Sequence, residues 1–102
     1  MKHEKEYLVT INVPPSLEEA IVDSLLMLEE ELGFSSFTVN SHHHENKGLS
    51  LAEQVTGRQK RLRFQMYIDQ NDLEPLVTHL KKDFSGSGIQ YWVLPVIDNG
   101  VI

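Results

Sequence analysis

The apolar residues of this chain change period along its length, and the order of those changes is what most narrows the fold. Tyr7, Val9, Ile11 and Val13 alternate with Leu8, Thr10 and Asn12, the period of a strand with one buried face. Pro14-Pro15 ends it. Ser16 then stands three residues before Glu19, the spacing of a capping box in which hydroxyl and carboxylate each take a free amide. Leu17, Ile21, Leu25, Leu28 and Leu32 follow at helical steps, and Gly33 is placed to end that helix in a left-handed conformation. Residues 34–41 read as a second strand, with Phe37 and Val39 on one face and Ser36, Thr38 and Asn40 on the other. Leu62, Phe64, Met66 and Ile68 alternate with Arg63, Gln65 and Tyr67 in a third. Asn71 or Asp72 is placed to cap a second helix bearing Leu73, Leu76, Val77, Leu80 and Phe84, with Pro75 expected in its first turn. Ser85-Gly86-Ser87-Gly88 is a turn, and 89–97 is a fourth strand, apolar on both faces.

The order β-α-β-β-α-β is the split βαβ pattern of the ferredoxin-like fold. It predicts an α+β domain in which both helices cover one face of a four-stranded antiparallel sheet. At 102 residues the chain is the size of one such domain. The sheet's second face has no helix to cover it, yet the fourth strand places Trp92, Leu94 and Val96 there, and Leu8 joins them if the first strand lies beside the fourth. Apolar patches of this kind mark interfaces, so a closed homo-oligomer through these four residues is expected.

Cysteine is absent, which removes disulfides, thiolate metal sites and cysteine nucleophiles, and leaves histidine and carboxylate as the metal-ligating side chains. The net charge of −6 argues against a general nucleic-acid binder, which needs Lys and Arg to displace counterions. No signal-like segment or bilayer-length apolar run occurs, so a cytoplasmic protein without membrane insertion is expected. Residues 42–60 form a long excursion between strands two and three, with one short helical turn expected within 49–55. It opens on His42-His43-His44-Glu45, ligands suited to Cu, Zn, Ni or Co; the competing reading is a solvated polar turn. Arg58, Lys60, Arg61 and Arg63 gather four of the nine basic residues, as an anion site or as a solvated strand edge. Gly86-Ser87-Gly88 can offer backbone amides to a phosphate or serve only as a tight turn. His79 reads as an exposed helix residue, and Asp23 and Ser24 have no histidine near them in the pattern. With no nucleophile, base and orienting group at workable spacing, the chain is expected not to be an enzyme.

Four stretches taken together carry a family likeness: Ile11-Asn12-Val13-Pro14-Pro15, Gly33-Phe34-Ser35-Ser36-Phe37, Leu49-Ser50-Leu51-Ala52-Glu53-Gln54-Val55-Thr56-Gly57-Arg58-Gln59 and Tyr91-Trp92-Val93-Leu94-Pro95-Val96. They resemble a small, functionally uncharacterised PII-like family of proteobacteria, often encoded beside heavy-metal efflux pumps and related to nitrogen regulatory PII and CutA-like proteins. The resemblance implies a homotrimer with its sheets turned to a central axis. It also implies that the 42–60 excursion is a T-loop contacting a partner, such as an efflux pump or a regulatory protein, and that an effector binds in inter-subunit clefts. The residues it implies for that effector are Arg58, Gln59, Arg61, Gly86 and Gly88. The sequence departs from PII in placing Gly57-Arg58-Gln59 at the end of the excursion and in having no tyrosine between His42 and Arg63. The basic C-terminal segment that holds ATP phosphates also has no counterpart up to Ile102, so ATP is the less favoured effector. The expected function is a trimeric regulator or sensor, with a transition metal at His42, His43, His44 and Glu45 as one effector. The alternatives are a metal buffer or carrier without allostery, and a nucleotide-binding regulator.

Overall fold

In the computed structural model, residues 5–28, 33–42 and 58–102 are described. Strand β1 (Glu6–Val13), helix α1 (Glu18–Leu28), β2 (Phe34–His42), β3 (Arg58–Asp69), helix α2 (Gln70–Asp83) and β4 (Gln90–Pro95) follow in chain order. The four strands form one antiparallel sheet in the order β2-β3-β1-β4. This is the ferredoxin-like arrangement expected from the periodicity.

Register assigns the faces. Val9, Ile11 and Val13 of β1 lie beside Met66, Phe64 and Leu62 of β3, and Val9 and Ile11 lie beside Val93 and Tyr91 of β4. On that face Val9, Ile11, Val13, Phe64, Met66 and Ile68 are buried against Ile21 and Leu25 of α1 and Leu76 of α2. Phe34 extends the core at the β2 edge, its ring centroid 6.0 Å from that of Phe64.

The helix termini differ from the sequence expectation. Ser16 is not a cap, because Pro15–Leu17 winds into a single 3-10 turn closed by Leu17 N–H to the Pro14 carbonyl at 3.0 Å. Proline at its first position has no amide to satisfy. Nor does Asn71 or Asp72 cap α2. The helix begins earlier, after Asp69, and its first amide, on Gln70, donates to the Lys5 carbonyl at 2.9 Å, so the backbone just ahead of β1 replaces a side-chain cap. Pro75 therefore falls in the second turn, where it removes one helical hydrogen bond at an exposed position. Gly33 does not adopt positive φ; among the described residues only Gly86 (φ 76°) and Gly88 (φ 82°) do. The turn between α2 and β4 thus has two left-handed positions, where a side chain would be strained.

Strand β3 is longer than its apolar pattern. Leu62–Asp69 pairs with β1, whereas Arg58–Arg61 pairs only with Val39–His42 of β2. The β2–β3 ribbon consequently projects past the rest of the sheet as a two-stranded arm. His42 and Arg58–Lys60, expected in the excursion, are part of this arm, and the segment it carries, 43–57, lies outside the described residues.

Candidate functional site

The end of the sheet that bears the arm also holds the close of β1, the start of β4 and the 85–88 turn. Most of the sequence-derived effector residues meet at this end. Gln59 and Arg61 lie on the helix-free face of β3, by register with Ser41 and Val39; Gln59 is buried and Arg61 half-buried. Arg58 opens β3 opposite His42. Gly86 and Gly88 sit across the sheet beyond β1, two strand spacings or about 10 Å to the side. Arginines and turn amides therefore share one end of the chain but flank β1 from opposite sides. Of the metal candidates, His42 is exposed at the tip of the arm, while His43, His44 and Glu45 lie outside the described residues. Among the described residues no group of three potential ligands comes together.

Beside the turn, on the helix side, a cleft of about 410 Å³ opens between the C-terminal end of α2 and strands β1 and β4. Val9, Ile11, Val77, Leu80, Phe84, Ile89 and Tyr91 make it mainly apolar. Lys81 stands at its rim with Nζ 5.6 Å from the Tyr91 ring centroid, close enough for a cation–π contact.

The helix-free face carries the second set of candidates. Leu8 lies between Leu94 of β4 and Tyr67 of β3, and Thr10 lies between Trp92 and Gln65. Leu94, Trp92 and Tyr67 are exposed there, with Phe37 further along. Val96, assigned to the same patch from sequence, is half-buried beyond the end of β4, where its amide donates to the Glu6 carbonyl at 2.9 Å. The middle of the face is polar. Asn12 pairs with Arg63 and Gln90, and the Arg63 guanidinium lies 5.6 Å from the Trp92 ring centroid. Asn12 Oδ1 and Arg63 Nε are both buried with no hydrogen-bond partner among the described residues. Sequence reasoning placed Leu8, Trp92 and Leu94 on this face and named Arg63 within the basic cluster, but it gave no role to Asn12 and did not assign Tyr67 or Phe37 to the face.

One contact overturns the reading of the helices. Ser24 is buried, its Oγ 2.9 Å from His79 Nε2, and the same nitrogen lies 3.1 Å from Asp83 Oδ2. His79 is half-buried and ties α2 to α1. A catalytic relay would use the two ring nitrogens for two partners; here both partners meet one nitrogen, so the group is a helix-to-helix link.

The fold, a four-stranded antiparallel sheet covered on one face by two helices, is one that PII proteins share. Among solved structures, PII of Arabidopsis thaliana bound to citrate superposes with a TM-score of 0.66 at 14% identity, over 91% of this chain and 78% of that one. CPII of Thiomonas intermedia K12, a nitrogen regulatory PII-like protein bound to ADP, AMP and bicarbonate, gives 0.69 at 10% identity, over 95% and 97%. The chain belongs to the family described as Protein of unknown function (DUF3240), which matches residues 4–102. A DUF3240 family protein from Shewanella baltica OS155 has the same fold, with a TM-score of 0.76 at 23% identity over 98% of this chain and 99% of that one. No curated protein matches the sequence. No helix among the described residues is long and apolar enough to cross a membrane.

Proposed function

We propose that this chain is a non-enzymatic regulator or sensor that works as a homotrimer, takes a small effector between subunits and signals through the segment carried on the β2–β3 arm. The observation behind the reading is the helix-free face. It exposes Trp92, Leu94 and Tyr67 around two buried polar atoms that have no partner among the described residues. Each such atom left dry costs about 1–3 kcal/mol, so a second surface that supplies partners gains on both the polar and the apolar account. Three sheets facing one axis would bring the arm of one chain beside the 85–88 turn of the next. Gln59 and Arg61 would then lie near Gly86 and Gly88 across a subunit boundary, which suits a small anion. Citrate on the Arabidopsis PII and bicarbonate with ADP and AMP on CPII are ligands of that kind. A transition metal held by His42, His43, His44 and Glu45 is the other effector in view, and it would tie the signal to metal efflux.

Thermal denaturation of metal-stripped, untagged protein against Zn, Cu, Ni, Co, ATP, ADP, cyclic nucleotides, citrate and bicarbonate tests this. A ligand at a hundredfold excess over its Kd adds about 2.7 kcal/mol per site, worth several degrees for a chain of this size. A metal shift that disappears in His42→Ala/His43→Ala/His44→Ala supports the metal sensor, and an anion shift that disappears in Arg61→Ala supports the anion sensor. Stabilisation by no ligand in the panel refutes the effector reading.

A further inference from the structure

We infer that the cleft under the C-terminal end of α2 is a binding site for a monocarboxylate with an apolar body, a fatty or aromatic acid, held within a single chain. The site shares the 85–88 turn with the effector reading above, but it lies on the helix side of the sheet, uses neither Gln59 nor Arg61 and needs no second subunit.

The walls fit the body of such a ligand. Helix α2 closes on the sheet at Leu76, which is buried, whereas Val77, Leu80 and Phe84 toward its C-terminal end stay half-buried, as does Ile89. With Tyr91 of the edge strand β4 they border a cleft of about 410 Å³, within the size range of small-ligand pockets. Each Å² of apolar wall that a ligand takes out of water contributes about 25 cal/mol.

The rim selects the head. The chain has a net charge of −6, yet among the described residues no acid lines the cleft and its one charged side chain is Lys81. Lys81 has no carboxylate partner among the described residues, and its ammonium stands 5.6 Å from the Tyr91 ring centroid. Two amides join it. Gly86 and Gly88 line the cleft, and neither amide donates to a described residue, whereas those of Ser87 and Ile89 are taken by the Phe84 carbonyl at 3.1 Å and the Ser87 hydroxyl at 3.3 Å. Carbonyls at a helix end repel an anion, but here the Leu80 carbonyl accepts from Phe84 and the Phe84 carbonyl from Ser87. A bare anion gains nothing from the walls, and a neutral hydrocarbon gains nothing from Lys81 and the turn amides. The monocarboxylate with an apolar body gains from both.

Untagged full-length chain titrated with octanoate, octanol and acetate, with amide and methyl NMR shifts as the readout, tests this. Octanoate is expected to saturate with shifts at Gly86, Gly88, Val77 and Leu80, about fivefold tighter than octanol and at least about tenfold tighter than acetate. Lys81→Met keeps the aliphatic stem and loses the charge. It should bring octanoate down to the affinity of octanol while octanol binds as before, a difference that a misfolded variant does not give. Arg61→Ala should leave octanoate binding unchanged, even where it abolishes an anion effect at the subunit boundary. Octanoate that binds no tighter than octanol, or no tighter than acetate, overturns the inference. Loss of octanoate binding in Arg61→Ala, or no saturable shift at all, overturns it as well.

Discussion

Truncating Leu94 to alanine separates the stability of the chain from the stability of its assembly. Leu94 is 55% exposed in the single chain, directly beside Leu8 on the helix-free face. Full burial of a leucine side chain contributes about 1.5–3 kcal/mol, so the part still in water is worth about 1 kcal/mol when a neighbour covers it. In the proposed trimer a three-fold axis would repeat the loss in every subunit, giving about 3 kcal/mol, or roughly a 150-fold weaker assembly at 1.4 kcal/mol per decade. Sedimentation equilibrium over a wide concentration range would read this as a shift of the transition between an 11.7 kDa chain and a species of about 35 kDa. Circular dichroism of the dilute chain should be unchanged, because no core side chain touches the substitution. An unshifted association curve would refute the placement of this face at the interface, and a dilute chain that unfolds would refute the claim that Leu94 lies outside the core.

Phe64→Ala should cost about 3–5 kcal/mol in urea denaturation, since the side chain is fully buried beneath both helices and against Phe34. A loss below about 1 kcal/mol would contradict that packing. Ser24→Ala should cost about 1 kcal/mol by removing the hydroxyl partner of His79, and Ser24→Ala combined with His79→Ala should cost less than the two changes summed. Gly86→Ala and Gly88→Ala should each cost about 1–2 kcal/mol through backbone conformation alone, because a Cβ at either position meets no atom within 4 Å. A neutral result in thermal denaturation would mean that the turn takes another conformation.

The order of strands and helices along the chain and most of the core were legible in the sequence because alternation and helical spacing record burial directly. Val9, Ile11, Phe64 and Met66 lie where their period puts them. The misread features are those where a distant backbone group does the work of a local side chain. Asn71 and Asp72 look like caps, but the Lys5 carbonyl arrives from another part of the chain and starts the helix sooner. His79 was misjudged because its partner, the Ser24 side chain, is 55 residues away on α1, and one helix's own periodicity carries no record of that. The length of β3 was hidden because Arg58–Arg61 is stabilised by pairing with β2 alone, which needs no apolar face. Of the candidate site, Leu8, Trp92 and Leu94 were placed on the helix-free face from sequence, whereas Tyr67 and Phe37 were not. The unpartnered Asn12 and Arg63 atoms emerge only once register sets them side by side.

The arm is four residue pairs long, Val39–Arg61 to His42–Arg58, and β1 gives it no third strand. Two-stranded ribbons are marginal in water, so these pairs open at a smaller free energy than the three-strand region behind them. Anything that grips the segment at the tip must hold the ribbon closed as well. Amide hydrogen exchange along the arm is therefore a built-in gauge of occupancy: slowed protection loss at Lys60 and Arg61, with Phe64 and Met66 unchanged, would report a bound partner or effector without any label.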